Sequence, residues 1–204
     1  MARAPLTIAL AVVLPLGFLI LQRATMYDGV RHVLFVIPML AVVAGLGWST
    51  LLPLLKRAPV VSAVAVGAYV GGVVSTLAAL HPLEYVAMNA LTGGTRGAYD
   101  KFELDYWSAA ATEALRRLEQ RFDYDPSIRT AESPPHILIC IGSREERAHM
   151  LLRRPWIVET DPDKADFIIA TQRSRCAENK PVVLIDEVRR FDRAFAWTYA
   201  RRAN

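Results

Sequence analysis

The sequence predicts a membrane α-helical protein: three transmembrane helices followed by a small α/β domain. Three observations lead there. Apolar runs occupy residues 6–21, 33–55 and 60–80. Residues 1–81 hold only six charged side chains (Arg3, Arg23, Asp28, Arg31, Lys56, Arg57), whereas residues 82–204 hold the other 38. Beyond residue 105, an amphipathic helical pattern is followed by short apolar and alternating runs of the kind that form strands.

The same partition excludes several classes of function. Of the 204 residues, the first 81 carry five basic side chains against one acidic, a net +4, and the remainder carry 19 of each. All of the net charge therefore belongs to the apolar part. A single soluble domain, a disordered chain and a basic nucleic-acid binder are excluded, the last because its cationic face belongs on a folded, soluble surface. Two cysteines are too few for a disulfide scaffold.

At 1.5 Å per residue, the second and third runs cross a hydrocarbon core of about 30 Å. The first is shorter, and the cationic start at Arg3 is compatible with a signal peptide. It ends in Leu21-Gln22-Arg23 without a small-x-small cleavage site, and is read as a spanning helix. The expected organisation is a three-helix transmembrane region over residues 1–81 (spans at about 6–22, 33–55 and 60–80), an interfacial junction loop over 82–104, and an α/β domain over 105–204. Pro15, Pro38 and Pro53 predict local kinks, tolerable where neighbouring helices satisfy the freed carbonyls. Positive charges are balanced across the membrane, with Arg3, Lys56 and Arg57 on one side and Arg23, Arg31 and Arg96 on the other, so they do not set the orientation.

In the third span, Ala63, Gly67, Gly71, Ser75 and Ala79 recur every four residues and share one helical face. Small residues at this spacing let helix backbones approach closely in lipid, which predicts another transmembrane chain as partner; an Ala/Gly-rich span also produces such a stripe by chance. Ala41, Gly45 and Ser49 repeat the spacing in the second span. Between the first two spans, Tyr27 precedes an Asp28-Gly29 turn, followed by Arg31 and His32 at the membrane boundary. A guanidinium matches phosphate oxygens in two-pronged fashion, so Tyr27, Arg31 and His32 are candidates for contact with a lipid-linked phosphate. On the residues alone, an ordinary interfacial anchor with a snorkelling arginine is the better-supported reading.

After the third span, the junction contributes His81, Glu84, Arg96, Glu103 and Asp105 as polar candidates. Its glycines fit neither a dinucleotide fingerprint nor a P-loop. Asp105 is an N-cap candidate for a helix over 105–122, with Trp107, Ala111, Ala114, Leu115, Leu118 and Phe122 on its core face and Arg116, Glu119 and Gln120 opposite. Residues 136–141 read as a buried strand, 145–153 as a short helix, and 167–170 as a second strand. Residues 182–188 and 194–199 read as a hairpin around Phe191-Asp192. No His/Cys cluster at metal spacing, no nucleophile elbow and no zinc-protease motif occurs, so neither a metal nor a cofactor is expected. Asp161-Pro162-Asp163 is read as a polar turn rather than a metal-holding pair. Cys140 and Cys176 leave pairing open.

Four stretches together resemble bacterial GT-C type membrane glycosyltransferases: Tyr27-Asp28-Gly29-Val30-Arg31-His32-Val33-Leu34-Phe35-Val36-Ile37-Pro38; His81-Pro82-Leu83-Glu84-Tyr85; Gly93-Gly94-Thr95-Arg96-Gly97-Ala98; and Glu103-Leu104-Asp105-Tyr106-Trp107. They occur in the family order and cover residues 27–110, with a looser likeness in the α/β tail. The resemblance implies the C-terminal part of a polytopic inner-membrane enzyme that takes sugar from a polyprenyl-phosphate donor on the extracytoplasmic face. It implies further that residues 82–204 lie outside the cytoplasm and that Arg31 and His32 lie near the donor phosphate. The family's catalytic acid lies in the first extracytoplasmic loop, upstream of the matched region, and Asp28 does not match that motif. No catalytic residue is therefore assigned to this chain. The expectation is a C-terminal portion or split subunit whose general base comes from elsewhere; a non-catalytic accessory subunit of a larger membrane complex is the alternative.

Overall fold

The computed structural model describes residues 3–24, 29–128, 134–141 and 150–201. The chain divides into two units, Met1–Gly72 and Val73–Asn204.

In the first unit, α1 (Arg3–Leu21) is followed by a 3-10 segment (Gly29–Val36), α2 (Ile37–Leu55) and the start of α3 (Pro59–Leu80). Two helical stretches, Val33–Leu55 and Pro59–Leu80, are long and apolar enough to cross a membrane, while the apolar stretch Leu6–Leu21 is shorter. Pro38 falls in the first turn of α2, where its missing N–H leaves no intrahelical bond unmade, so no kink is needed there. Ser49 and Thr50 return their hydroxyls to the carbonyls of Leu46 and Gly47 at 2.7 and 2.8 Å, which satisfies both polar groups within the helix.

The second unit is a mixed five-stranded sheet covered on one face by a helix. Its strands are β1 (His136–Ile139), β2 (Ile157–Val158), β3 (Phe167–Thr171), β4 (Val182–Arg190) and β5 (Arg193–Arg201), in the spatial order β2-β1-β3-β5-β4. β1 pairs in parallel with β2 and β3, whereas β5 pairs antiparallel with β3 and β4. Between β4 and β5, Phe191 and Asp192 both adopt left-handed backbone, at φ 49° and 63°. Two such residues make the tight turn whose twist matches a hairpin. A phenylalanine is a poor choice for that conformation, and Arg96 holds the turn: it donates to the Phe191 carbonyl at 3.3 Å and to the Asp192 carboxylate at 2.8 Å.

The short helix α4 is Gly94–Ala98, and α5 (Ala110–Tyr124) packs on β3, β4 and β5. Its apolar face buries Ala111, Ala114, Leu115 and Leu118 against Ile137, Ile169, Val188 and Ala196. Phe122, Trp156 and Phe167 close one end with ring centroids 5.2 to 6.1 Å apart. The opposite face of the sheet carries a smaller cluster around Cys140, Ala165, Ile168 and Ala177, and a disulfide joins Cys140 to Cys176 across it.

Three details differ from the expectations. The helix begins at Ala110, not Asp105, because Ser108 takes a left-handed conformation (φ 54°) and breaks the run; Trp107 consequently lies before the helix and is exposed. Glu119, placed by periodicity on the solvated face, is buried and accepts the Arg153 N–H at 2.9 Å. β2 is only two residues long, too short to leave a pattern. Most of the helix expected over 145–153 lies outside the described residues.

Candidate functional site

Two regions collect polar groups beside apolar surface. The first follows α3. His81 opens a tight segment in which its ring nitrogen Nδ1 meets the Glu84 carboxylate at 2.5 Å; that contact holds the Glu84 carboxyl below its ordinary range. Tyr85, next in sequence, donates its hydroxyl to the Asp105 carboxylate. Asp105 is fully buried and also accepts the N–H groups of Ala109 at 2.8 Å and Ala110 at 3.1 Å. Burial raises the Asp105 carboxyl above its usual range, and the bond from Tyr85 and the two N–H groups pull it back in part. Burial first, then Asp105 itself, pushes the Tyr85 phenol upward. This carboxylate has three protein donors and no solvent-accessible surface, so its work is structural. It supplies the free N–H groups at the start of α5 and ties them to the junction.

Thr95 hydroxyl, also buried, donates to the Val86 carbonyl at 3.2 Å and accepts the Met88 N–H at 3.3 Å. Asn89 accepts the N–H groups of Leu91 and Thr92, and Gly93 then turns left-handed at φ 82°. Gly97 approaches so closely that a Cβ there would lie 2.8 Å from the Thr92 carbonyl oxygen. The glycines of this loop thus serve backbone packing.

The junction residues do not form one cluster. His81 pairs with Glu84; Arg96 pins the hairpin turn; Glu103 lies 3.5 Å from Arg173; and Asp105 caps α5. What periodicity and motifs did not reveal is Arg190. It donates to the Leu80 carbonyl at 3.2 Å, to the His81 carbonyl at 2.6 Å and to Glu113 at 2.6 Å, and Glu113 also receives Arg117 at 2.5 Å. Arg190 and Glu113 are about 110 and 30 residues from the end of α3, too far apart for local patterning to link them.

The second region lies in the first unit. A hollow of about 400 Å³ is lined by Leu16, Leu19, Ile20, Ala24 and Val33, with Arg23 as its charged wall. Arg23 stands just beyond α1 in left-handed backbone at φ 47°. Of the residues expected to meet a lipid phosphate, Tyr27 lies outside the described residues. Arg31 and His32 fall in the 3-10 segment Gly29–Val36, which contributes Val33 to the lining of the hollow, and their side chains lie outside the described residues.

Along α3, Ala63, Gly67, Gly71, Ser75 and Ala79 are exposed, and a Cβ placed on Gly67 or Gly71 meets nothing within 4 Å. Asp161-Pro162-Asp163 forms a turn in which the Asp161 carboxylate accepts the Asp163 N–H at 2.9 Å and Lys180 pairs with Asp163 at 2.8 Å. Among the described residues, no three His, Cys, Asp or Glu side chains converge as metal ligands.

Compared with protein families, curated proteins and solved structures, the chain matches none.

Proposed function

We propose that this chain is the C-terminal portion, or a split subunit, of a membrane glycosyltransferase that draws on a polyprenyl-phosphate-linked sugar. In this reading α1 is a third span, the protein resides in a bacterial inner membrane, and its α/β domain faces the extracytoplasmic side. The general base that activates the acceptor hydroxyl comes from another chain or segment.

The observation that carries the reading is the hollow beside α1. Its walls are aliphatic and, among the described residues, its charged lining residue is Arg23, an arrangement suited to an isoprenoid tail ending in a phosphate. Arg31 and His32 follow within the same connection between the first two spans, which supports a cationic character for that connection. The disulfide between Cys140 and Cys176 supports the placement of the domain, because such bonds persist in oxidising compartments and are rare in the cytosol.

The test uses the full chain in mild detergent with undecaprenyl phosphate, and undecaprenol as the control without phosphate. Native mass spectrometry is expected to find the phosphate retained preferentially, and retention reduced about tenfold by Arg23→Ala or Arg31→Ala. Equal retention of the alcohol, or no loss in either variant, overturns the proposal.

A second reading, a non-catalytic accessory subunit of a larger membrane complex, is favoured by the exposed small-residue face of α3. Gly67→Leu and Gly71→Leu are then expected to release a co-purifying membrane protein. Recovery of a lone, monodisperse chain without either substitution argues against both the accessory and the split-subunit reading.

A further inference from the structure

The α/β domain carries two hollows that share Arg175 as a wall, and the smaller lies on the face of the sheet opposite α5. The smaller, about 240 Å³, is floored by Trp197 and Tyr199 of β5. Ala170 pairs directly with Trp197 across the sheet, and Ala177 lies alongside; both are small, and Trp197 and Tyr199 each remain partly exposed. The larger, about 510 Å³, is walled by Tyr99 and Phe102 on one side and Arg173 on the other. That volume falls in the usual range for small-molecule sites, about 300–1,000 Å³.

The walls are held in place. Gln172 accepts the Leu104 N–H at 3.2 Å and donates to the Tyr99 carbonyl at 3.0 Å, which joins the two lining segments. Arg173 stacks over the Tyr106 ring at 4.0 Å and donates to the Tyr106 carbonyl at 3.2 Å. Arg175 precedes Cys176, whose disulfide to Cys140 fixes the loop over the sheet, and its guanidinium lies 5.9 Å from the Trp197 ring.

The lining chemistry selects among ligands. Lys101, Arg173 and Arg175 face an equal number of acids, Asp100, Glu103 and Glu178, so the groove presents no net field to a polyanion. Arg173 with Glu103 at 3.5 Å, and Arg175 with Glu178 at 3.6 Å, are loose, half-exposed pairs. Each sets a donor beside an acceptor at a spacing where neither is committed to a tight hydrogen bond. Paired hydroxyls, which donate and accept, complement such a pair, and the flat faces of Trp197 and Tyr199 complement the C–H faces of a pyranose ring.

We infer that this groove binds a neutral saccharide chain, with rings stacked on Trp197 and hydroxyls held by Arg175 and Glu178 and by Arg173 and Glu103. That the saccharide is the acceptor for transfer rests on the glycosyltransferase reading; that the groove takes sugar rests on its own geometry.

The experiment places the full chain in lipid nanodiscs on an array of immobilised neutral, acidic and sulfated oligosaccharides. Retention of neutral oligosaccharides is expected, with signal reduced about tenfold by Trp197→Ala and severalfold by Arg175→Gln. Arg175 is largely exposed, so its variant keeps the fold and serves if Trp197→Ala does not. Retention no higher than that of empty nanodiscs overturns the inference. So does binding confined to charged glycans and abolished by salt, or binding unmoved by Arg175→Gln. The array reads neither lipid binding nor transfer, so its failure leaves the undecaprenyl phosphate result standing, and the reverse also holds.

Discussion

Arg190, the last residue of β4, meets Glu113 in the first turn of α5 at 2.6 Å while the same guanidinium takes the carbonyl oxygens of Leu80 and His81. Each partner suits its place. A carboxylate is favoured near the start of a helix, and a cation is favoured at the free carbonyls that end one. Both side chains are nearly buried, at 12% and 13% exposure, so the pair is shielded from solvent and salt. Arg190→Met is expected to destabilise the protein by about 1–3 kcal/mol, because it takes from the Glu113 carboxylate one of its two arginine partners and from the Leu80 and His81 carbonyls a charged donor. Arg190→Lys should recover only part of this, since an ammonium lacks the fork that reaches several acceptors at once. Thermal unfolding of the detergent-solubilised chain measures both.

Asp105 predicts a pH dependence whose sign follows from its burial. Its carboxyl is raised from an ordinary value of 3.8, so the folded state holds the proton more tightly than the unfolded one. The resulting contribution to stability is complete below 3.8 and disappears as pH rises through the raised folded value. In Asp105→Asn this slope should vanish. Tyr85→Phe removes the hydrogen bond that favours the ionised form, so the window should move to higher pH, with a loss of about 1–2 kcal/mol at neutral pH. Unfolding midpoints measured from pH 4 to pH 8, on the order of half a unit apart, test both expectations.

The disulfide spans 36 residues. Closing a loop of that length removes unfolded-state entropy worth about 4 kcal/mol. The Cys140→Ser, Cys176→Ser double variant should lose roughly that much, and reductant should lower the denaturation midpoint of the wild type but not of the variant. A midpoint indifferent to reductant in the wild type contradicts the bond.

Gly97→Ala is expected to destabilise by about 1–3 kcal/mol, because its new methyl meets the Thr92 carbonyl at 2.8 Å and backbone must shift to accept it. Gly93→Ala should cost about 1–2 kcal/mol for a different reason, the left-handed backbone at φ 82°. By contrast Gly45→Ala, inside α2 with nothing within 4 Å, should stabilise the chain slightly, by up to about 1 kcal/mol, because alanine is the better helix former. Circular dichroism melts separate the three.

Sequence alone made the apolar stretches, the helix that becomes α5, the strands β1 and β3 and the hairpin legible, because each has a period that burial imposes over several residues. It misplaced the start of α5 because Asp105 has the right chemistry for a cap but supplies it from four and five residues ahead, across a left-handed Ser108 that leaves no compositional signal. Glu119 escaped for a similar reason: its burial depends on the N–H of Arg153, 34 residues away. The candidate sites divide the same way. Arg31, His32 and the small-residue stripe were visible as motifs. The Arg190 clamp and the groove at Arg175 and Trp197 arise from strand order and register, which no local pattern encodes.

Cys140 and Cys176 are the only cysteines in the chain. Within one molecule they permit a single pairing, so oxidation has no wrong connectivity to correct. Maturation of the domain therefore asks for an oxidant but not for an isomerase. Cys140 also precedes Cys176 in a chain made from its N-terminus. The first thiol must wait, unpaired, until β3 and the loop after it have been made, and during that interval it is open to capture by another molecule's thiol.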